Sequence, residues 1–128
     1  MGLCKECNKE NVGYEWCKTC NANHFQKNFE NWTSDNVDID KFIQEAQLSA
    51  SYYRKVIEWI PYDRFYDVKY IARGWFGKVY RANWIDGCID KWDDKNQNWT
   101  RKDQNMFVIL KSLNNPNNNL TLEFINEV

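Results

Sequence analysis

Val68-Lys69-Tyr70-Ile71-Ala72-Arg73-Gly74-Trp75-Phe76-Gly77-Lys78-Val79-Tyr80-Arg81-Ala82 is the stretch on which the fold turns. Two apolar runs, rich in β-branched and aromatic residues, flank a turn that holds Gly74 and Gly77. Such runs around glycines predict a β-hairpin, with strands over about 65–73 and 78–84. A glycine carries no Cβ, so the backbone of this turn can approach a ligand closely. Successive N–H groups in such a turn form a concave anion site. Downstream, Phe107-Val108-Ile109-Leu110-Lys111 predicts a third strand, over 107–113, that carries a lysine. Leu122-Glu123-Phe124-Ile125-Asn126-Glu127-Val128 then predicts the start of an amphipathic helix. Sheet followed by helix gives an α+β fold.

Glycine hairpin, strand lysine and helical glutamate, in that order, resemble the N-terminal lobe of a protein kinase. The resemblance implies that the loop from Ala72 to Gly77 covers the phosphates of ATP. Ile71, Ala72, Gly74, Phe76, Gly77 and Val79 would then line the nucleotide, and Lys111 would contact its α- and β-phosphates. A glutamate on the following helix would hold Lys111 in place. Glu127, 16 positions beyond Lys111, fits best, because Phe124-Ile125-Asn126-Glu127-Val128 matches the family's aromatic-x-x-Glu-apolar pattern. Glu123 is the second choice. Ala72 stands where the family has its first glycine, and Ile109 where it has a small residue beside the adenine. The family's His-Arg-Asp and Asp-Phe-Gly motifs do not occur in the 128 residues. Those motifs supply the catalytic base and the magnesium ligands. The expectation is an ATP-binding lobe that transfers no phosphate by itself, as a fragment, an early-terminating product or a pseudokinase remnant. In a complete kinase, Mg·ATP and a protein hydroxyl would be the substrates.

The head of the chain carries different chemistry. Cys4-Lys5-Glu6-Cys7 and Cys17-Lys18-Thr19-Cys20 are two C-x-x-C knuckles separated by nine residues. Two such pairs complete a closed, tetrahedral four-sulfur site, the arrangement of structural zinc. Short polar loops bury too little surface to fold unaided, so the metal would supply the folding energy. A redox dithiol is the competing reading, but that motif occurs singly, and here it is doubled. His24 lies close to Cys20, yet four thiols already fill the shell. Cys88 has no partner by spacing.

Between head and lobe, Phe25, Phe29 and Trp32 fall at helical spacing, and Ile39, Phe42, Ile43 and Ala46 mark an amphipathic helix with Asp38 or Asp40 at its start. An aromatic-rich stretch continues to Pro61. The expected organisation is a zinc-binding head over 1–24, a helical connector over 25–60 and an incomplete kinase lobe over 61–128. Head, connector and the Trp59-Ile60-Pro61-Tyr62-Asp63-Arg64-Phe65 entry together resemble the large fungal family of tyrosine-kinase-like serine/threonine kinases. Residues 85–105, between the second and third strands, are too many for an ordinary hairpin loop. They form either a surface loop or a ribbon in which Trp92 and Trp99 face each other.

A formal net charge of −1 argues against nucleic acid or an anionic membrane as partner. Lys5, Lys9 and Lys18 near the knuckles are balanced by Glu6, Glu10 and Glu15. No apolar run approaches the roughly 20 residues that span a bilayer, and the polar start after Met1 is no signal peptide. The expected setting is cytoplasmic and reducing. ATP is the expected ligand, with a protein substrate, a partner kinase or an adaptor as the expected protein partner. A non-catalytic, zinc-stabilised interaction module is the alternative.

Overall fold

The computed structural model describes residues 2–13, 15–75, 77–113 and 121–126, with the backbone alone for 113 and 121–126. The described chain is α+β. Its helices are α1 (Lys18–Lys27) and α2 (Val37–Ser49), and its strands are β1 (Phe65–Gly74), β2 (Gly77–Trp84), β3 (Cys88–Asp93), β4 (Asn98–Lys102), β5 (Met106–Leu113) and β6 (Thr121–Asn126). Two compact units share these elements. Met1–Ile60 and Ile89–Arg101 make the first, and Pro61–Cys88 and Lys102–Val128 the second.

The second unit is an antiparallel sheet in the order β1-β2-β5-β6. The turn between β1 and β2 closes at the pair Gly74↔Gly77, and Gly77 has φ +139°, a conformation that L side chains rarely adopt. Strand β1 lies at the edge of the sheet, and its register shifts at Tyr66/Lys69 and again at Tyr70/Ala72. Bulges of this kind twist an edge strand away from pairing with other chains. Alternation then sorts the side chains. Ala82, Trp84, Val108, Leu110 and Ser112 are buried, whereas Val79, Ile109 and Lys111 are half-buried and Arg81 and Phe107 exposed. The Arg81 guanidinium lies 4.4 Å from the centre of the Phe107 ring, a cation–π contact on the more open face. Arg64, just ahead of β1, donates two hydrogen bonds to Asp86, just beyond β2, at 3.0 and 2.6 Å. That fork ties the entry of the hairpin to its exit.

The expected helix from Leu122 is not formed. Thr121–Asn126 is β6, antiparallel to β5 in the register Leu113↔Thr121 through Val108↔Asn126. Leu122 and Ile125 suit a helical stripe, but Thr121, Glu123 and Ile125 alternate with Leu122 and Phe124 equally well. A helix of so few residues barely repays its nucleation cost. Pairing along β5 satisfies the backbone at once.

In the first unit, α1 starts inside the cysteine head, earlier than its apolar spacing suggested, and ends at Lys27. A single 3₁₀ turn, Phe29–Asn31, follows. Helix α2 is capped by Asn36, whose side chain accepts from the N–H groups of Asp38 and Ile39 at 3.0 and 3.1 Å. Asp38 and Asp40 occupy its first turn, where carboxylates favour the helix dipole. Hydrogen bonds from the Ser34 and Thr33 hydroxyls hold the Asp40 carboxyl below its usual range. Beyond Ser49 the helical connector fails. Residues 50–60 carry one 3₁₀ turn, Tyr53–Lys55, and are otherwise irregular. Aromatic and β-branched residues crowd this stretch and favour helix poorly. Its carbonyls are also engaged elsewhere: the Trp16 indole donates to Ala50 O at 3.0 Å.

The long insertion is a ribbon, and Trp92 and Trp99 do meet across it, edge to face at 5.0 Å. Trp99 also stacks on Phe25 at 4.5 Å and on Trp16 at 5.9 Å. The unit's core is Trp16, Phe25, Ala50 and Ile89, with Phe29, Tyr53, Val56 and Trp99 packed against it. Lys91 pairs with Glu15 at 3.0 Å, and Arg101 with both oxygens of Glu58 at 2.7 Å. Val12, beside the knuckles, is half exposed. No helix among the described residues is long and apolar enough to cross a membrane.

Candidate metal centre and candidate nucleotide face

Each knuckle is shaped by its own backbone. In the first, the Cys4 N–H donates to Lys9 O at 2.8 Å and the Asn8 N–H to Cys4 O at 2.9 Å. Asn8, at φ +61°, turns the chain back, a conformation asparagine tolerates. The Glu6 N–H points at Cys4 Sγ from 3.4 Å. In the second, Cys17 is the extended N-cap residue of α1 and Cys20 lies in the first turn. Sulfur here sits where helix N–H groups and the positive end of the helix dipole favour a thiolate.

The folded loops bring the four sulfurs of Cys4, Cys7, Cys17 and Cys20 within 4.8 Å of one another. Cys4 and Cys20 are 3.8 Å apart, and Cys7 and Cys17 3.7 Å. A regular tetrahedron with metal–sulfur bonds of about 2.3 Å has edges of about 3.8 Å. The four cysteines can therefore hold one metal ion.

Crowding sets the sulfurs' acidities apart. The Lys9 backbone amide holds the Cys7 thiol down to about 7. Burial pushes the Cys17 and Cys20 thiols up. Four thiolates this close repel one another unless a cation lies among them, and a bound cation reverses the trend by taking all four as anions. His24 stays out of the donor set: its Nε2 lies 3.0 Å from both carboxylate oxygens of Glu6. Its ring stacks on Trp92, 3.7 Å centre to centre. The first knuckle, the first helix and the ribbon are joined through this one side chain.

In the second unit, three of the residues expected at the nucleotide, Ala72, Val79 and Lys111, fall into one cross-strand row. Ala72 pairs with Val79, Val79 with Lys111, and Lys111 with Glu123. Directly opposed residues of antiparallel strands share a face, so Val79 and Lys111 lie together, away from buried Leu110 and Ser112. Gly77 is two residues along β2 from Val79, about 7 Å. Ile109 is on the Lys111 face, half-buried and opposite Arg81. Ile71 is exposed and sits at the second bulge of β1. Trp75, at the tip of the turn, is 93% exposed. Phe76 and Glu127 lie outside the described residues, whereas Glu123 takes the register position opposite Lys111 on a strand instead of a helix.

Three positions gave no signal in the sequence. Gly13 has Ser51 O so near that a Cβ would come within 2.7 Å of it. The Glu6–His24 pair spans 18 positions, a separation no local pattern reports. Gly87, at the foot of the ribbon, has φ +72° and Lys102 O against the place of a Cβ. Comparison of the chain with protein-family models, curated proteins and solved structures gives no match.

Proposed function

We propose that the chain is an ATP-binding lobe of the protein-kinase type joined to a zinc-organised unit. The observation that carries the nucleotide reading is the row Ala72–Val79–Lys111, set on the open face of the sheet below the Gly74–Gly77 turn. In this reading the turn's N–H groups and the Lys111 ammonium receive the phosphates, and Val79, Ala72 and Ile109 receive the base. The counter-ion role stays with Glu127 or with the second choice, Glu123, whose backbone stands in register with Lys111. In this reading the 128 residues by themselves, which contain neither a His-Arg-Asp nor an Asp-Phe-Gly motif, bind nucleotide weakly and do not hydrolyse it. The test is titration of the zinc-loaded chain with Mg·ATP, beside a Lys111→Ala variant. Losing hydrogen bonds to a charged group costs about 1.5–3 kcal/mol, so the variant should bind roughly 10- to 100-fold more weakly. Equal affinity in both proteins, or a Lys111-dependent ATPase rate, contradicts the proposal.

For the first unit the metal is zinc. Four thiolates in a tetrahedral set suit zinc, and the closed shell leaves no position for substrate, so the ion's role is structural. A cytoplasmic, reducing setting keeps the thiols available to it. A second reading, a non-catalytic module that docks on another kinase or an adaptor, is favoured by this same sulfur cluster. It differs in outcome: stripping zinc abolishes partner binding while the nucleotide signal stays.

A further inference from the structure

The ribbon interrupts the second unit's chain yet folds with the first. Strand β2 ends at Trp84 and β5 begins at Met106, and these two strands pair along their full length. The 21 residues between them would be a slack connection if unfolded. Instead, Ile89–Arg101 belongs to the unit that holds the four cysteines. Its anchors are specific. Trp99 stacks on Phe25 of α1 and on Trp16, the residue preceding Cys17. Trp92 stacks on His24, which in turn holds Glu6, inside the first knuckle. Lys91 reaches Glu15, in the segment between the knuckles. These anchors are on segments whose course the four sulfurs set, while Arg101 on Glu58 and Ile89 in the core with Ala50 tie the ribbon to the segment that follows α2. The ribbon depends on such anchors, because a two-stranded hairpin is marginal by itself in water.

We infer that metal binding and ribbon folding are a single cooperative event, and that the ribbon makes the β2–β5 connection metal-responsive. With the metal bound, the connection is closed by a folded hairpin whose feet, Cys88 and Lys102, belong to the sheet unit. Gly87 fits against Lys102 O at those feet, and Cys88 Sγ lies 3.7 Å from the same carbonyl. With the metal gone, the knuckles lose their geometry, Trp16 and His24 lose their places, and the ribbon opens into a long loop. Longer open loops cost more entropy to close, so the sheet's central pairing weakens while its own hydrogen bonds persist. The metal thus acts on the sheet through covalent connectivity. This inference rests on the four-thiol metal site and not on the nucleotide reading.

Hydrogen exchange followed by mass spectrometry tests it on the full chain, zinc-loaded and zinc-stripped under reducing conditions. Stripping should bring amides of residues 89–101 close to unfolded-peptide rates and speed exchange in β2 and β5 at least three-fold, leaving those strands still protected. Near-UV circular dichroism supplies a second readout, because the Trp16–Trp99 and Trp92–His24 stacks give a signal that should grow in step with zinc up to one equivalent. A ribbon that keeps its protection without zinc overturns the inference. So does a near-UV signal indifferent to bound zinc, a loss of all protection in the chain at once, or a failure to bind zinc at all. Trp99→Phe, which keeps the stack on Phe25, should retain zinc-dependent protection of the ribbon; Trp99→Ala should lose it with the four cysteines intact.

Discussion

Cys7 is the residue whose chemistry is most exposed to test. Its thiol is held down to about 7 by the Lys9 amide, whereas burial raises Cys17 and Cys20. In the metal-free protein the two effects have opposite signs. The lowered pKa of Cys7 favours the fold above the ordinary thiol range, near 9, and that contribution disappears as pH falls through about 7. The raised values of Cys17 and Cys20 favour the fold below that range and work against it as pH rises. With zinc bound, iodoacetamide at pH 7 should spare Cys4, Cys7, Cys17 and Cys20, and stripping the zinc should open all four to modification, as read by peptide mass spectrometry. Modification indifferent to zinc would mean that the four thiols do not hold the metal. Gly87 makes the other residue-scale prediction. At φ +72°, with Lys102 O 2.2 Å from the site of a Cβ, Gly87→Ala should lower stability by about 2 kcal/mol or more in chemical denaturation. Glycine-like tolerance there would mean that the ribbon's feet separate easily.

At the scale of elements, some parts were legible and others were not, for physical reasons. Strands β1, β2 and β5 announce themselves because β-branched and aromatic residues bracket Gly74 and Gly77 and because Val108 and Leu110 alternate with residues on the open face. The C-x-x-C spacing announces the metal centre because two residues between sulfurs suit one tetrahedral ion. Strand β6 was misread because Leu122, Phe124 and Ile125 satisfy both periods, and a short apolar run cannot choose between them without its tertiary partner. The start of α1 was missed because Lys18-Thr19-Cys20-Asn21 has no apolar period. Cys17 is its N-cap residue, and the Cys17 carbonyl accepts from the Asn21 N–H at 2.9 Å. Helix α2 was legible from its stripe, and Asp38 and Asp40 stand in its first turn, while the cap itself is Asn36. Asn36→Ala should cost about 1 kcal/mol, measured as a shift in denaturation midpoint at pH 7. An unchanged midpoint would mean that Asp40, through Ser34 and Thr33, holds the helix start without a cap.

For the whole molecule, the division into units cuts across the order of the chain. Pattern reading takes the sequence in line and so assigned residues 61–128 to one lobe. The folded chain lends Ile89–Arg101 to the unit at its beginning. Periodicity cannot report that loan, because Trp92 and Trp99 look like strand residues wherever they pack. What decides it is the aromatic cluster of Trp16, Phe25 and Trp99, drawn from three separate segments. The sulfur centre stands under this cluster, since Trp16 precedes Cys17 and α1 springs from the second knuckle.

Cobalt titration of the reduced, metal-free chain tests that centre directly. One equivalent should saturate it, with the strong visible absorption of tetrahedral cobalt and sulfur-to-metal charge transfer in the near ultraviolet, and zinc should displace the signal. Serine in place of any one of Cys4, Cys7, Cys17 and Cys20 should weaken binding and alter the spectrum, whereas Cys88→Ser should change neither. Weak octahedral absorption, binding of no cobalt, or a spectrum unchanged by those four substitutions would contradict the account.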